Sequence, residues 1–305
     1  MDLPWPQVVF VVASTITLPL HFAILISVVR RRKHTLFHIL VLSQGLADVG
    51  SLINYAFVTT ARDSQLFNEF FWSNKQFLAN YGYRSTYYFV MVRNIGVTMM
   101  SLQRYICVCQ SGKKIEKIIS RTPAVFFAIF QWGIALLIVS PIMQLSYDVT
   151  YEMRPKLEVS IPPSLLALGN MIVILSSAAL VAICIVCYVL IISYILRNIS
   201  NRSQSKQHEL RLSAQVAGLV IAFIAQLVYN GGSYILNYFG PVATRNWRTI
   251  GPLLYGFLSC VHPWTCLAFN QEIRNGVPGI SRYCVKRKED SISFTMVFWL
   301  SRTKH

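Results

Sequence analysis

The stretch Tyr83–Cys109, YRSTYYFVMVRNIGVTMMSLQRYICVC, decides how the rest of the chain is read. It is long enough to cross a bilayer, which takes about 20 residues. Yet it carries Arg93 and Arg104 inside its apolar length. The two lie eleven residues apart, so at about 100° per residue they return to nearly the same face of a helix. An arginine at the bilayer centre costs roughly 2.5–3.5 kcal/mol on insertion scales and is kept where it faces protein rather than lipid. This segment is therefore expected to be buried among other helices.

Composition supports that setting. The chain is 54% hydrophobic and only 13% charged, with a mean hydropathy of +0.48, whereas soluble domains carry about 25% charged residues. The net charge of +16 sits in short clusters between apolar runs rather than on one folded face, which reads as membrane topology and not as a nucleic-acid surface. Of the seven cysteines, six lie in or at the ends of apolar runs and Cys284 lies in the basic tail, so no disulfide framework is visible. Cys184 and Cys187 have the spacing of a redox or zinc pair but no His or carboxylate neighbours. They read as two small packed residues, with neither metal nor cofactor expected. The N-terminus lacks the basic residues of a cleavable signal peptide, and its first apolar run is too long for one.

Seven stretches qualify as spans: about 5–29, 36–60, 83–107, 123–144, 164–196, 212–239 and 249–269. Gly82 stands just before the third, and Thr122-Pro123 gives the fourth a cap followed by proline. The expected organisation is an all-α membrane protein, a seven-helix bundle over 1–275 with a basic tail at 276–305. Orientation follows from basic residues. The connections 30–35, 108–122, 197–211 and the tail from 270 hold four, four, four and seven; the segments on the other side hold six in all. That asymmetry puts the N-terminus outside and the tail in the cytosol.

Polar groups inside spans carry the chemistry. His21, Asp48, Arg93, Asn94, Arg104 and His262 stand out, with Asn170, Gln226 and Asn230 as neutral companions. Asp48 lies about twelve residues, or ~18 Å, above the cytoplasmic start of the second span, and Arg93 lies about fourteen, or ~21 Å, above the end of the third. The two spans are consecutive and antiparallel, so the opposite charges arrive at almost the same depth and are expected to pair. The alternative is that each finds water or backbone of its own. Arg104 sits within a turn of the cytosol, where simple snorkelling to the interface is the competing reading.

Leu42-Ser43-Gln44-Gly45-Leu46-Ala47-Asp48, Asn94-Ile95-Gly96-Val97 and Ser101-Leu102-Gln103-Arg104-Tyr105, in that order within seven spans, resemble a G-protein-coupled receptor. More narrowly, they are similar to nematode serpentine chemoreceptors of the Srg superfamily, class V, over roughly Leu18–Asn275. The resemblance implies that Gln103, Arg104 and Tyr105, with His262 and Pro263 of the seventh span, form the switch that meets a heterotrimeric G protein. It implies that Asp48 is the acid that in many receptors helps bind sodium, a role that the fixed cation of Arg93 would make redundant. It implies a small-molecule ligand, odorant or pheromone-like, in the outer half of the bundle, and a plasma-membrane location in sensory neurons or their cilia.

Tyr87, Tyr88, Met91, Asn170, Tyr229, Tyr234 and Tyr255 are candidates to line that pocket, against the plainer reading of packing or interface-belt aromatics. The chain departs from the common pattern in three ways. Gln103 stands where an acid usually precedes the arginine, the sixth span has no proline (Gly231-Gly232 could bend it instead), and the usual outer cysteine pair is missing. In the tail, Cys284 beside Lys286-Arg287-Lys288 suits palmitoylation at an anionic leaflet or stays unmodified, and Phe294–Leu300 is too short to span.

Other classes fit less well. A transporter would show repeats and broken helices in matching halves, and an odorant-gated channel with seven spans would place the N-terminus inside. A retinal receptor needs a lysine within a span, which none of the seven has. An intramembrane enzyme needs paired carboxylates or a metal set, and Asp48 is the one acid within a span. The orientation has a direct check in two sequons, Asn198-Ile199-Ser200 and Asn201-Arg202-Ser203, in the fifth-to-sixth connection. They are expected to stay unglycosylated. A glycosidase-sensitive gel shift that vanishes on mutating these asparagines would overturn it.

Overall fold

The computed structural model describes residues 5–31, 35–65, 67–144, 149–153, 157–197, 204–239, 247 and 249–277. Cys284, Phe294–Leu300 and the sequons at Asn198 and Asn201 lie outside them. Among the described residues the chain forms seven long helices: α1 (Trp5–Val29), α2 (Leu36–Tyr55), α4 (Lys75–Cys109), α6 (Ala124–Gln144), α7 (Pro163–Arg197), α8 (Gln204–Phe239) and α9 (Gly251–Phe269). Three short helices accompany them, α3 (Asn68–Ser73), α5 (Lys114–Arg121) and α10 (Gln271–Gly276). The protein is an all-α seven-helix bundle. A two-stranded hairpin, β1 (Thr150–Met153) with β2 (Leu157–Ser160), closes one end of it.

Local chemistry starts and stops these helices. Thr35 caps α2: its Oγ1 accepts from the His38 backbone N–H, and its own N–H donates to His38 Nδ1 at 3.3 Å, a reciprocal box with histidine as the second partner. α2 then loosens into a π-helical segment, Ala56–Ala61. Pro252 in the first turn of α9 has a missing N–H that would be unpaired there in any case.

α4 occupies the centre, packed on α2, α6, α7 and α8. By length and apolar composition alone, five helices are able to cross a membrane: α1, α2 with its π-helical extension, α6, α7 and α8. α4 fails that test because it carries polar and charged groups, which its neighbours bury. Arg93, Asn94 and Ser101 are fully buried. In contrast α6 and α7 expose rows of large apolar residues such as Phe126, Ile129, Leu175 and Val186, as lipid-facing helices do.

Several boundaries differ from the sequence expectation. The third span begins at Lys75 and not at Tyr83, because Lys75–Gly82 is too polar to register as hydrophobic although Leu78, Ala79 and Gly82 are buried. Leu78 and Ala79 pack with Phe71, Tyr151, Leu157 and Leu165 beneath the hairpin. Gly82 lies inside the helix; a Cβ there would collide with Val58 of the π-helical segment. The sixth span starts at Gln204 instead of Leu212 and runs as one helix through Gly231-Gly232. The seventh starts at Gly251, after a turn at Thr249-Ile250. The hairpin and α5, both in connections, went unseen. Their apolar residues, Tyr151 and Leu157 in one and Ile115, Ile118 and Ile119 in the other, are too few for a hydropathy window.

α2, α4 and α6 meet at Gly96, where a Cβ would overlap the amides of Gln44 and Gln131. Gly96→Val is expected to destabilise the solubilised protein by about 1–3 kcal/mol through overpacking. Gly133→Val, at a site with open space, is expected to leave it near wild type. Thermal unfolding in detergent reads both, and equal midpoints would show that the three helices do not close on Gly96.

Candidate functional site

The polar groups that the spans carry converge on Asp48. Its carboxylate and the Arg93 side chain are fully buried, and Arg93 Nε donates to Asp48 Oδ1 at 3.0 Å. The guanidinium also donates from one terminal nitrogen to Ser51 Oγ at 3.1 Å and to the Tyr255 carbonyl at 2.9 Å, so α4 is bound to α2 and α9 through one side chain. The other carboxylate oxygen, Oδ2, lies 2.7 Å from His262 Nδ1, a contact that assigns a proton to that nitrogen. Ser259 Oγ donates to Oδ1 at 3.2 Å, and the Gln44 amide stands 3.5 Å from both oxygens. A buried ion pair is sustained by partners for its remaining donors and acceptors. Ser51 of α2 and three groups of α9 supply most of them, while Arg93 Nη2 and His262 Nε2 are buried without a hydrogen-bond partner among the described residues.

Pro263 adds a further link. Having no N–H, it leaves the carbonyl four residues earlier, that of Ser259, without its helical partner. His21 Nε2 of α1 takes up that oxygen at 2.8 Å. The His21 and His262 rings lie 5.8 Å apart. Asp48 and its surroundings therefore tie together α1, α2, α4 and α9. His262 and Pro263, grouped with Arg104 from the sequence, belong structurally to this cluster, some three turns of α4 away from Arg104. Helix rotation about the long axis decided this, and spacing along the chain does not report it.

Arg104 does not snorkel. It is 2% exposed, its guanidinium sits 4.0 Å from the centre of the Phe37 ring of α2, and its Nε donates to Gln103 Oε1 at 2.7 Å. The residue that replaces the usual acid thus still engages the arginine, as a neutral acceptor, while an aromatic face covers the charge. Tyr105 turns to the end of α4, where its hydroxyl accepts from Gln110.

Six of the seven pocket candidates make contacts around two neighbouring hydrogen bonds, Tyr87–Asn170 and Tyr255–Asn230. Tyr87 donates to Asn170 Oδ1 at 3.1 Å, Met91 is fully buried with Ser176 Oγ at 3.2 Å from its sulfur, and Tyr88 meets the Trp132 ring edge-on. Tyr255 packs between Tyr229 and Tyr55 and donates to Asn230 Oδ1 at 2.8 Å. Tyr87, Tyr88, Met91 and Tyr255 share one apolar cluster above Arg93. Tyr234 is half-buried near the end of α8. None of the seven borders the cavity of about 290 Å³ between α1, α8 and α9, which is lined by apolar residues such as Phe10, Ala225, Leu254 and Phe257.

Some bundle-forming groups escaped the sequence reading. Gln131 and Trp132 of α6 bond Ser43 of α2 at 2.8 and 3.0 Å, and Gln131 Nε2 donates to the Val92 carbonyl at 3.0 Å. A glutamine inside the fourth span was the available signal. Cys184 and Cys187 are both buried and free, with the Cys184 thiol 3.6 Å from Thr98 Oγ1.

Stranding one partner of a buried pair costs about 3–5 kcal/mol. Asp48→Ala and Arg93→Ala are each expected to cut surface expression sharply. The exchange Asp48→Arg/Arg93→Asp is expected to recover only part of it, because the transplanted arginine would face His262. Flow cytometry of a tagged receptor reads this, and single variants that traffic normally would refute the pairing.

Among curated proteins no match is found. Residues 10–279 match the family described as serpentine type 7TM GPCR chemoreceptor Srv. That match begins within α1 and ends beyond α10, so it takes in all seven helices, and the chain belongs to the Srv family of serpentine type 7TM GPCR chemoreceptors, an integral membrane protein.

Proposed function

We propose that the protein is a chemosensory receptor that binds a small-molecule cue in the hairpin end of the bundle and signals to a heterotrimeric G protein through the Arg104 end. The observation that carries it is Arg104 itself, a buried cation on the central helix at the end where the basic connections cluster, covered by the Phe37 ring and bonded to the Gln103 amide. Its cover, Phe37, belongs to a different helix, so a parting of α2 from α4 would change what the cation meets.

On this reading the hairpin end is extracellular, in line with nineteen basic residues on the opposite side against six. The cue touches the Tyr87–Asn170 and Tyr229–Tyr255 groups. Tyr255 connects them to the charge cluster, because its hydroxyl holds α8 at Asn230 while its carbonyl holds Arg93. A ligand that favours a different placing of α8 and α9 thereby biases α4, and with it the equilibrium at Arg104. Placement in the Srg superfamily as class V, a nematode source and residence in the plasma membrane of sensory neurons or their cilia belong to the same proposal.

In cells screened with a ligand panel, Arg104→Ala is expected to abolish calcium or cAMP responses at equal surface expression. Phe37→Leu removes the ring and is expected to raise ligand-independent signalling about 2- to 10-fold, as a cation–π contact of this kind implies. A response that survives Arg104→Ala undiminished, or ligand-gated current in patches without G protein, would overturn the reading.

A further inference from the structure

The eight residues of α5, Lys114–Arg121, form the most sharply two-faced helix of the chain. Ile115, Ile118 and Ile119 fall within about 100° of one another around its axis, with Lys117 on the opposite side and Lys114 and Arg121 together along one edge. The apolar face is largely uncovered by the bundle, with Ile115 51% and Ile118 64% exposed. In water such a face would be a liability. After Thr122-Pro123 the chain enters α6, whose Val125, Phe126 and Ile129 are also 58%, 56% and 66% exposed. The single acid of α5, Glu116, is turned back to the Gly112 backbone N–H, against three basic residues in the same helix.

We propose that α5 lies in the membrane interface as a foot that binds anionic phospholipid headgroups, with its isoleucines in the acyl boundary and Lys114, Lys117 and Arg121 at the phosphates. Two features together select a lipid over a protein partner. The apolar face leads by two residues into α6, a helix apolar enough to span a membrane and exposing large apolar side chains. The basic residues stand at its edge and back, where side chains reaching from a half-immersed helix meet the headgroups. Basic residues near an anionic surface add to the attraction, and salt screens it. The proposal rests on the helices spanning a membrane, and not on the orientation or on signalling.

Photo-crosslinking tests it on the full-length receptor. Benzoylphenylalanine replaces Ile118, and the protein is placed in nanodiscs of phosphatidylcholine alone or mixed with phosphatidylserine. Both faces of a nanodisc offer the same lipid, so a wrong orientation or a failed signalling assay leaves the outcome unaffected. Mass spectrometry is expected to find lipid adducts in both preparations, with phosphatidylserine enriched about 5-fold over its mole share. Added salt and the Lys114→Gln/Lys117→Gln variant are each expected to remove the enrichment and spare the phosphatidylcholine adducts. Adducts in proportion to mole share overturn the headgroup preference. Crosslinks confined to the receptor, or appearing only with added G protein, overturn the lipid site altogether, and these outcomes need no second variant to fold.

Discussion

The ion pair between Asp48 and Arg93 is the constraint around which this bundle is arranged. Neither charge tolerates hydrocarbon, and neither reaches water, so the helices that carry them must stay in register to within a fraction of a turn. The pair alone leaves donors and acceptors unserved. α9 adds His262, Ser259 and the Tyr255 carbonyl, and α1 follows because Pro263 frees the carbonyl that His21 binds. Apolar packing fills the remaining space but carries little directional information in lipid, where tails are as apolar as leucine.

Lower down the same helix the chemistry differs. Arg104 is covered by the Phe37 ring and bonded to the neighbouring Gln103 amide. One helix thus carries two arginines in different settings: Arg93 locked to a carboxylate with several hydrogen bonds, Arg104 under an aromatic ring. In the proposed receptor the first keeps the bundle assembled while the second responds. Tyr255 stands between the candidate pocket and the locked pair, which gives ligand-driven movement of α8 and α9 a physical route to α4.

Much of this was legible in the chain. Counting residues from the basic ends put Asp48 and Arg93 at matching depths, because helical rise is constant. Seven apolar runs gave the helices to within a few residues where the helix and the apolar run coincide. The failures share one cause, which is that hydropathy reports lipid contact and not helicity. Lys75–Gly82 is helical but packs under a polar hairpin, and α5 is helical but only one face of it is apolar. The contact between His262 and Asp48 was not legible, since it depends on the rotation of α9 about its own axis. The Ser259 carbonyl could have been anticipated from Pro263 four residues later; its partner on α1 could not, being 238 residues away along the chain.

The central claim is that Asp48 and Arg93 stabilise the fold as a unit. A double-mutant cycle tests it most directly: thermal unfolding in nanodiscs of the wild type, Asp48→Asn, Arg93→Gln and the double variant. If the pair acts as a unit, the double variant loses far less than the sum of the single losses, with a coupling of about 2 kcal/mol or more. Strictly additive losses would mean that each residue is held by its other neighbours, and that the bundle does not depend on the pair.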